Sequence, residues 1–115
     1  MRILPAVIAW AVITASCGWT PADEQVLTRF FEQSRTYDKT RLAAIAKVVF
    51  DPRIEGVVER FAVVDRVDSP LPENRLSRRL TIQADVRSVA GRMDQRKLVV
   101  TLEGRDRKWI VTGFQ

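Results

Sequence analysis

Histidine is absent from this chain of 115 residues, and cysteine occurs once. These two absences exclude a Ser–His–Asp triad, a His-ligated metal, a zinc site built from cysteine pairs and any disulfide within the chain. Glycine and proline are sparse, at 5 each. Gly91 and Gly104 stand singly where turns are expected, so the sequence holds no glycine-rich phosphate loop. Carboxylates are scattered rather than clustered, which leaves no calcium loop and no metal site to read, and no cofactor is implied. What is present is a globular composition, 46% hydrophobic and 29% charged. Nineteen basic residues against fourteen acidic ones give a net charge of +5. Acids are interleaved with the arginines throughout, and Phe30, Phe31, Phe61 and Trp109 fall on the apolar sides of their segments. That pattern describes a solvated mixed-charge sheet face rather than a nucleic-acid interface, which pairs basic residues with exposed aromatics.

The first sixteen residues read as an export signal. Met1-Arg2 forms a short positive start, and Ile3–Ile13 is an apolar run of eleven residues. Thr14, Ala15 and Ser16 follow, and then Cys17, the only cysteine. Ala15-Ser16-Cys17 resembles a bacterial lipobox, with Thr14 where that pattern usually has Leu. The resemblance implies that Cys17 is lipidated and becomes the first residue of the mature protein. Two alternatives stay open. Cleavage nearby would release a secreted soluble domain. Retention would use the charge-free stretch Ile3–Ala22, twenty residues, as a membrane anchor. All three place the domain outside the cytoplasm: periplasmic or outer-membrane-associated in a bacterium, or secreted. Residues 17–20 then form a short tether, and residues 21–115 a single domain.

Within that domain the period changes from helical to alternating. Thr20 as N-cap, Pro21 in the first turn, and Asp23 and Glu24 behind it mark a helix start. Val26, Leu27, Phe30 and Phe31 then form an apolar stripe at helical spacing. After polar Ser34–Lys39, Asp38 or Thr40 caps a shorter helix carrying Leu42, Ala43, Ile45, Ala46 and Val49, which Asp51-Pro52 ends. From Ile54 the period is two. Ile54–Val67 predicts a long strand, bulged near Gly56 or Ala62–Val64, and Ser69–Asn74 a connector. Leu76–Val89, Arg96–Glu103 and Lys108–Phe114 predict three more strands joined by short turns, hence antiparallel neighbours. Two N-terminal helices followed by four strands make an α+β domain, with the helix stripe packed on a curved antiparallel sheet.

Two segments carry a family resemblance. Val26–Asp38 (VLTRFFEQSRTYD) is a long first helix turning into a short second one, and Lys108–Phe114 is a closing strand of alternating aromatic and apolar residues. With these the chain resembles the cystatin-like, nuclear transport factor 2-like superfamily, in a reduced form like that of small bacterial lipoproteins of unknown function. The resemblance implies a cone-shaped pocket between helix and sheet. Some members are ketosteroid-isomerase-like or dehydratase enzymes, while many others only bind or act as scaffolds. An enzyme of that type needs a Tyr or carboxylate in the cone. The weak candidates here are Tyr37, the only tyrosine, with Asp38 beside it, and Asp65; helix capping explains Asp38 better, and packing with its hydroxyl at the rim explains Tyr37 better. Arg75, Arg78 and Arg79 form the densest basic cluster, a candidate contact for an acidic partner or envelope surface, or a charge guard at a strand start. The expected function is therefore that of an exported, envelope-associated domain, lipid-anchored through Cys17. It would bind a protein partner or small apolar ligand without catalysis. An enzyme and a membrane-anchored structural component of an envelope machine are the alternatives.

Overall fold

The computed structural model describes residues 20–105 and 108–115. The leader and Cys17 lie outside the described residues. Two helices precede four strands: α1 (Ala22–Arg35), α2 (Lys39–Leu42), β1 (Val57–Leu71), β2 (Arg75–Arg87), β3 (Met93–Arg105) and β4 (Lys108–Phe114). The sheet is open and antiparallel in the order β1-β2-β3-β4, as short connections dictate. The domain is thus α+β, two helices and one four-stranded sheet. Strand bounds shift from those expected: β1 starts at Val57 rather than Ile54 and β2 ends at Arg87 rather than Val89, while β3 extends to Met93 and Arg105, and Ser69–Leu71, expected in the connector, pair with Arg75–Ser77 inside the β1–β2 hairpin.

Alternation sorts the sheet into two faces. Leu80, Ile82, Ala84 and Val86 of β2, with Leu98, Val100 and Leu102 of β3 and Val111 of β4, are buried on the inner face. Helix α1 lays Val26, Leu27, Phe30 and Phe31 on that face. It approaches the two edge strands, β1 and β4, more closely than the central pair. β1 carries bulges at Glu59 and Val64, the second within the segment where the sequence predicts one. Gly56 precedes the strand with φ +90°; a Cβ there would run into the Arg87 carbonyl, so glycine alone fits.

Two local expectations differ. Pro21, not Thr20, is the N-cap residue of α1; its carbonyl accepts from the Glu24 and Gln25 amides, and no side chain caps the helix. The second helix is a single turn. Asp38 caps it by accepting from the Arg41 amide at 3.1 Å, but the chain then leaves helical geometry. Ile45–Lys47 instead runs beside β4, with the Val111 amide donating to the Ile45 carbonyl and the Lys47 amide to the Val111 carbonyl, both at 2.8 Å. Those bonds cover part of an otherwise open strand edge, and the gain outweighs the helical pattern of Leu42–Val49.

Phe50, which ends this connector, completes an aromatic cluster. Its ring meets Phe31 edge-on at 5.5 Å between centroids and Phe114 at 5.1 Å; Phe30 and Phe61 join the same group. Buried Ser34 holds the arrangement by accepting the Phe50 amide at 3.2 Å. Phe30, fully enclosed, should be the most sensitive position. Phe30→Ala is expected to cost about 3–5 kcal/mol, read as a lower urea midpoint at unchanged m-value.

Candidate functional site

A 14-residue helix is about 21 Å long, whereas the 13 residues of β2 extend roughly 43 Å. The sheet must therefore overhang the helix, and the overhang decides where a site can form. On the inner face the paired rows are apolar from Val58–Val86 to Val63–Ile82. Then they change character: Arg66 pairs with Leu80, Asp68 with Arg78, and Pro70 with Leu76. The change falls where the N-terminus of α1 arrives.

Asp23 is the residue that meets it. Three and four positions before Val26 and Leu27, it lies on the apolar stripe and is 1% exposed. Its Oδ2 accepts from Arg66 Nε at 2.8 Å and from Arg78 Nη1 at 3.1 Å. Arg78 also forks onto Asp68, at 2.6 and 2.9 Å, and Arg66 reaches Glu24. Burial pushes the Asp23 carboxyl up, but hydrogen bonds and charge from Arg66 and then Arg78 outweigh it and hold the group below its ordinary value. Hydrogen bonding to Arg78 holds Asp68 down in the same way.

Beyond this cluster the overhanging sheet end and the start of α1 enclose a cleft of about 840 Å³. Pro70, Leu71, Leu76 and Trp109 supply its apolar walls, and Thr20 and Pro21 its helix side. Trp109 pairs with Gly104 in the sheet and lies beneath the Arg78 guanidinium, 4.8 Å from the ring centroid. A Cβ at Gly104 would strike the Lys108 carbonyl and crowd the indole, so this glycine sets the Trp109 position. Arg75 and Arg105 stand at the rim, both gathered on the β1–β2 turn. Arg105 donates to the Glu73 carbonyl at 2.6 Å; Arg75 reaches the Pro72 carbonyl at 3.4 Å and Glu103 at 3.6 Å. Glu73 and Asn74 turn the chain with φ of 65° and 59°, a left-handed pair made without glycine.

The basic cluster Arg75, Arg78 and Arg79 is divided by this geometry. Arg78 is an inner-face structural partner, Arg75 is at the cleft rim, and Arg79 is exposed and does not line the cleft. Tyr37 sits at the α1–α2 junction with φ 57°, its ring centroid 5.1 Å from Lys39 Nζ and 4.8 Å from the Arg53 guanidinium, and Asp38 beside it caps α2. Asp65 is exposed in the outer half of β1. None of Tyr37, Asp38 and Asp65 lines the cleft. Cys17 lies outside the described residues. Among those described, no three His, Cys, Asp or Glu residues group as a metal site, and no helix is long and apolar enough to cross a membrane. Asp23, Arg66, Trp109 and Arg105 were not expected in the site. The helical spacing of Asp23 from Val26 was the available signal.

No protein-family model, no curated protein and no solved structure matches this chain.

Asp23→Asn should cost about 2–4 kcal/mol, since it leaves two arginines facing a neutral amide at a buried point. The same substitution changes the acid limb. A carboxyl held low in the fold releases its proton more readily there than in the unfolded chain, so its stabilisation is full above the ordinary value of 3.8 and fades as pH falls through the lower folded value. Urea midpoints measured from pH 7 to pH 2 should fall less steeply in the variant.

Proposed function

We propose that this chain is an exported, envelope-associated binding domain, held at a membrane surface through Cys17, that receives a protein partner or small apolar ligand in the cleft beside Trp109 without chemistry of its own. The observation that carries this reading is a cleft of ligand size at the start of α1, with Thr20 among its walls. Cys17 precedes Thr20 by three residues, at most about 10 Å of extended chain. A lipid on Cys17 would therefore hold the cleft mouth close to the bilayer.

The cleft's dimensions suit a bound molecule, being within the usual range for ligand pockets. Its chemistry favours binding over catalysis. Among the described residues Asp23 is the only carboxylate of its walls, and two arginines hold it ionised and occupied, so it is a poor proton acceptor. For the fold we favour the cone of the cystatin-like, nuclear transport factor 2-like superfamily. Support comes from α1 lying nearer the edge strands than the centre of the sheet, as in a sheet curled around its helix.

The test is the intact mass of the protein recovered after expression of the full chain in a bacterial host, beside a Cys17→Ser control. Residues 17–115 carrying a diacylglyceryl group and an acyl chain, absent from the control, is the expected result. Cleavage without added lipid would replace the anchored domain by a secreted one. An unprocessed chain would favour a membrane-anchored component and overturn the role given to Cys17.

A further inference from the structure

We propose that the cleft takes a single-chain anionic amphipath, an aliphatic chain bearing a phosphate or carboxylate head, with the head between Arg75 and Arg105 and the chain along Leu71, Leu76 and Trp109. This deepens the binding reading above and rests on it.

Three features select that chemistry. First, two guanidinium groups are drawn to adjacent carbonyls of one turn, Pro72 and Glu73, although like charges repel. Arg75 has Glu103 at 3.6 Å, while Arg105, among the described residues, donates to that one carbonyl. Both residues line the cleft, an arrangement matched to a head with several acceptor oxygens. Second, the turn that holds them uses left-handed Glu73 and Asn74, an arrangement that costs energy and recurs where a binding geometry is fixed in advance. Third, the charge at the rim gives way to an apolar floor. Arg78, the next cation inward, is already taken by Asp68 and Asp23 and serves only to cover Trp109. A fully apolar ligand would leave the rim donors facing nothing, and a bare anion would leave the floor to water. An amphipath satisfies both.

The experiment is calorimetric titration of the full-length Cys17→Ser chain with dodecyl phosphate, kept below its critical micelle concentration. Saturable one-to-one binding is expected. Arg75→Gln and Arg105→Gln should each weaken it about tenfold or more, as charge-assisted hydrogen bonds do, and Arg105→Lys should restore part of the loss. Inorganic phosphate and dodecyltrimethylammonium should each bind at least tenfold more weakly. An apolar leader would take up dodecyl chains regardless of the head and regardless of Arg105, so these comparisons isolate the cleft. Equal affinity for both dodecyl heads, indifference to both Gln variants in chains with unchanged circular dichroism, or no saturable binding would overturn the proposal. A second arm offers lysophosphatidate in neutral phosphatidylcholine vesicles. Withdrawal into the protein fraction identifies the membrane as the source, and uptake from solution alone identifies a free amphipath. The titrated chain has no lipid anchor, so failure of anchoring, read by mass, remains distinct from failure of this site.

Discussion

The Asp23 carboxylate, enclosed at the first turn of α1 and gripped by Arg66 and Arg78, fixes the relation between the helix and the sheet. A buried carboxylate is costly unless paired, and each arginine comes from a different strand, so one contact joins α1, β1 and β2. It also gives direction to the packing. Apolar residues alone would let α1 slide along the inner face, where successive rows of Val, Ile, Leu and Ala are nearly equivalent. The pairing exists only at the rows of Arg66 and Arg78, and it therefore sets how far the helix extends and where uncovered sheet begins.

A second constraint acts at the other end of the helix. Ser34 accepts the Phe50 amide inside the core, and Arg35 donates to the Val58 carbonyl at 3.0 Å. The sequence pattern of the connector between these points is helical, yet Ile45–Lys47 pairs beside β4 instead. That choice seats Phe50 among Phe31 and Phe114 and leaves α2 a single turn. Helix position, connector path and aromatic core thus depend on one another, with polar contacts at both ends and rings between.

Much of this was legible beforehand. The four strands, their antiparallel order and the Val26/Leu27/Phe30/Phe31 stripe follow from periods of two and of three to four, which burial on one face enforces. The second helix is shorter than the helical pattern of Leu42–Val49 predicts because Ala46 bridges Val111 of β4 instead, a tertiary contact outside any local window. The far end of β1 is not legible, because Asp68 and Pro70 take inner-face positions where alternation looks for apolar residues, and Ser69–Asn74 reads as a connector. The candidate site was less legible for the same reason. Asp23 read as a first-turn acid suited to the helix dipole, and only the folded register shows that it faces two arginines. Arg75, Arg78 and Arg79 read as one cluster, but alternation along β2 and the hairpin turn gives them three surroundings.

An overhanging sheet end carries a risk as well as a site. β1 is an edge strand, and Val64 and Val67 are 58% and 54% exposed on it, so its outer half offers unpaired backbone beside apolar side chains. Several features oppose pairing with another strand. The bulges at Glu59 and Val64 break the regular spacing of edge groups, Pro70 lacks an amide hydrogen, and Arg60, Asp65, Arg66 and Asp68 place charge along the strand. The inner face of the same end is protected differently. Among the described residues no further helix covers Leu76 and Trp109, and arginines tied to carbonyls and carboxylates surround them. Such a surface resists a flat apolar strand, which would have to strip those guanidinium groups of water. It remains open to a narrow chain whose own charge meets them. The exposure that makes this end hazardous to leave bare and the charges that guard it are thus the same features that fit it to a small amphipathic ligand.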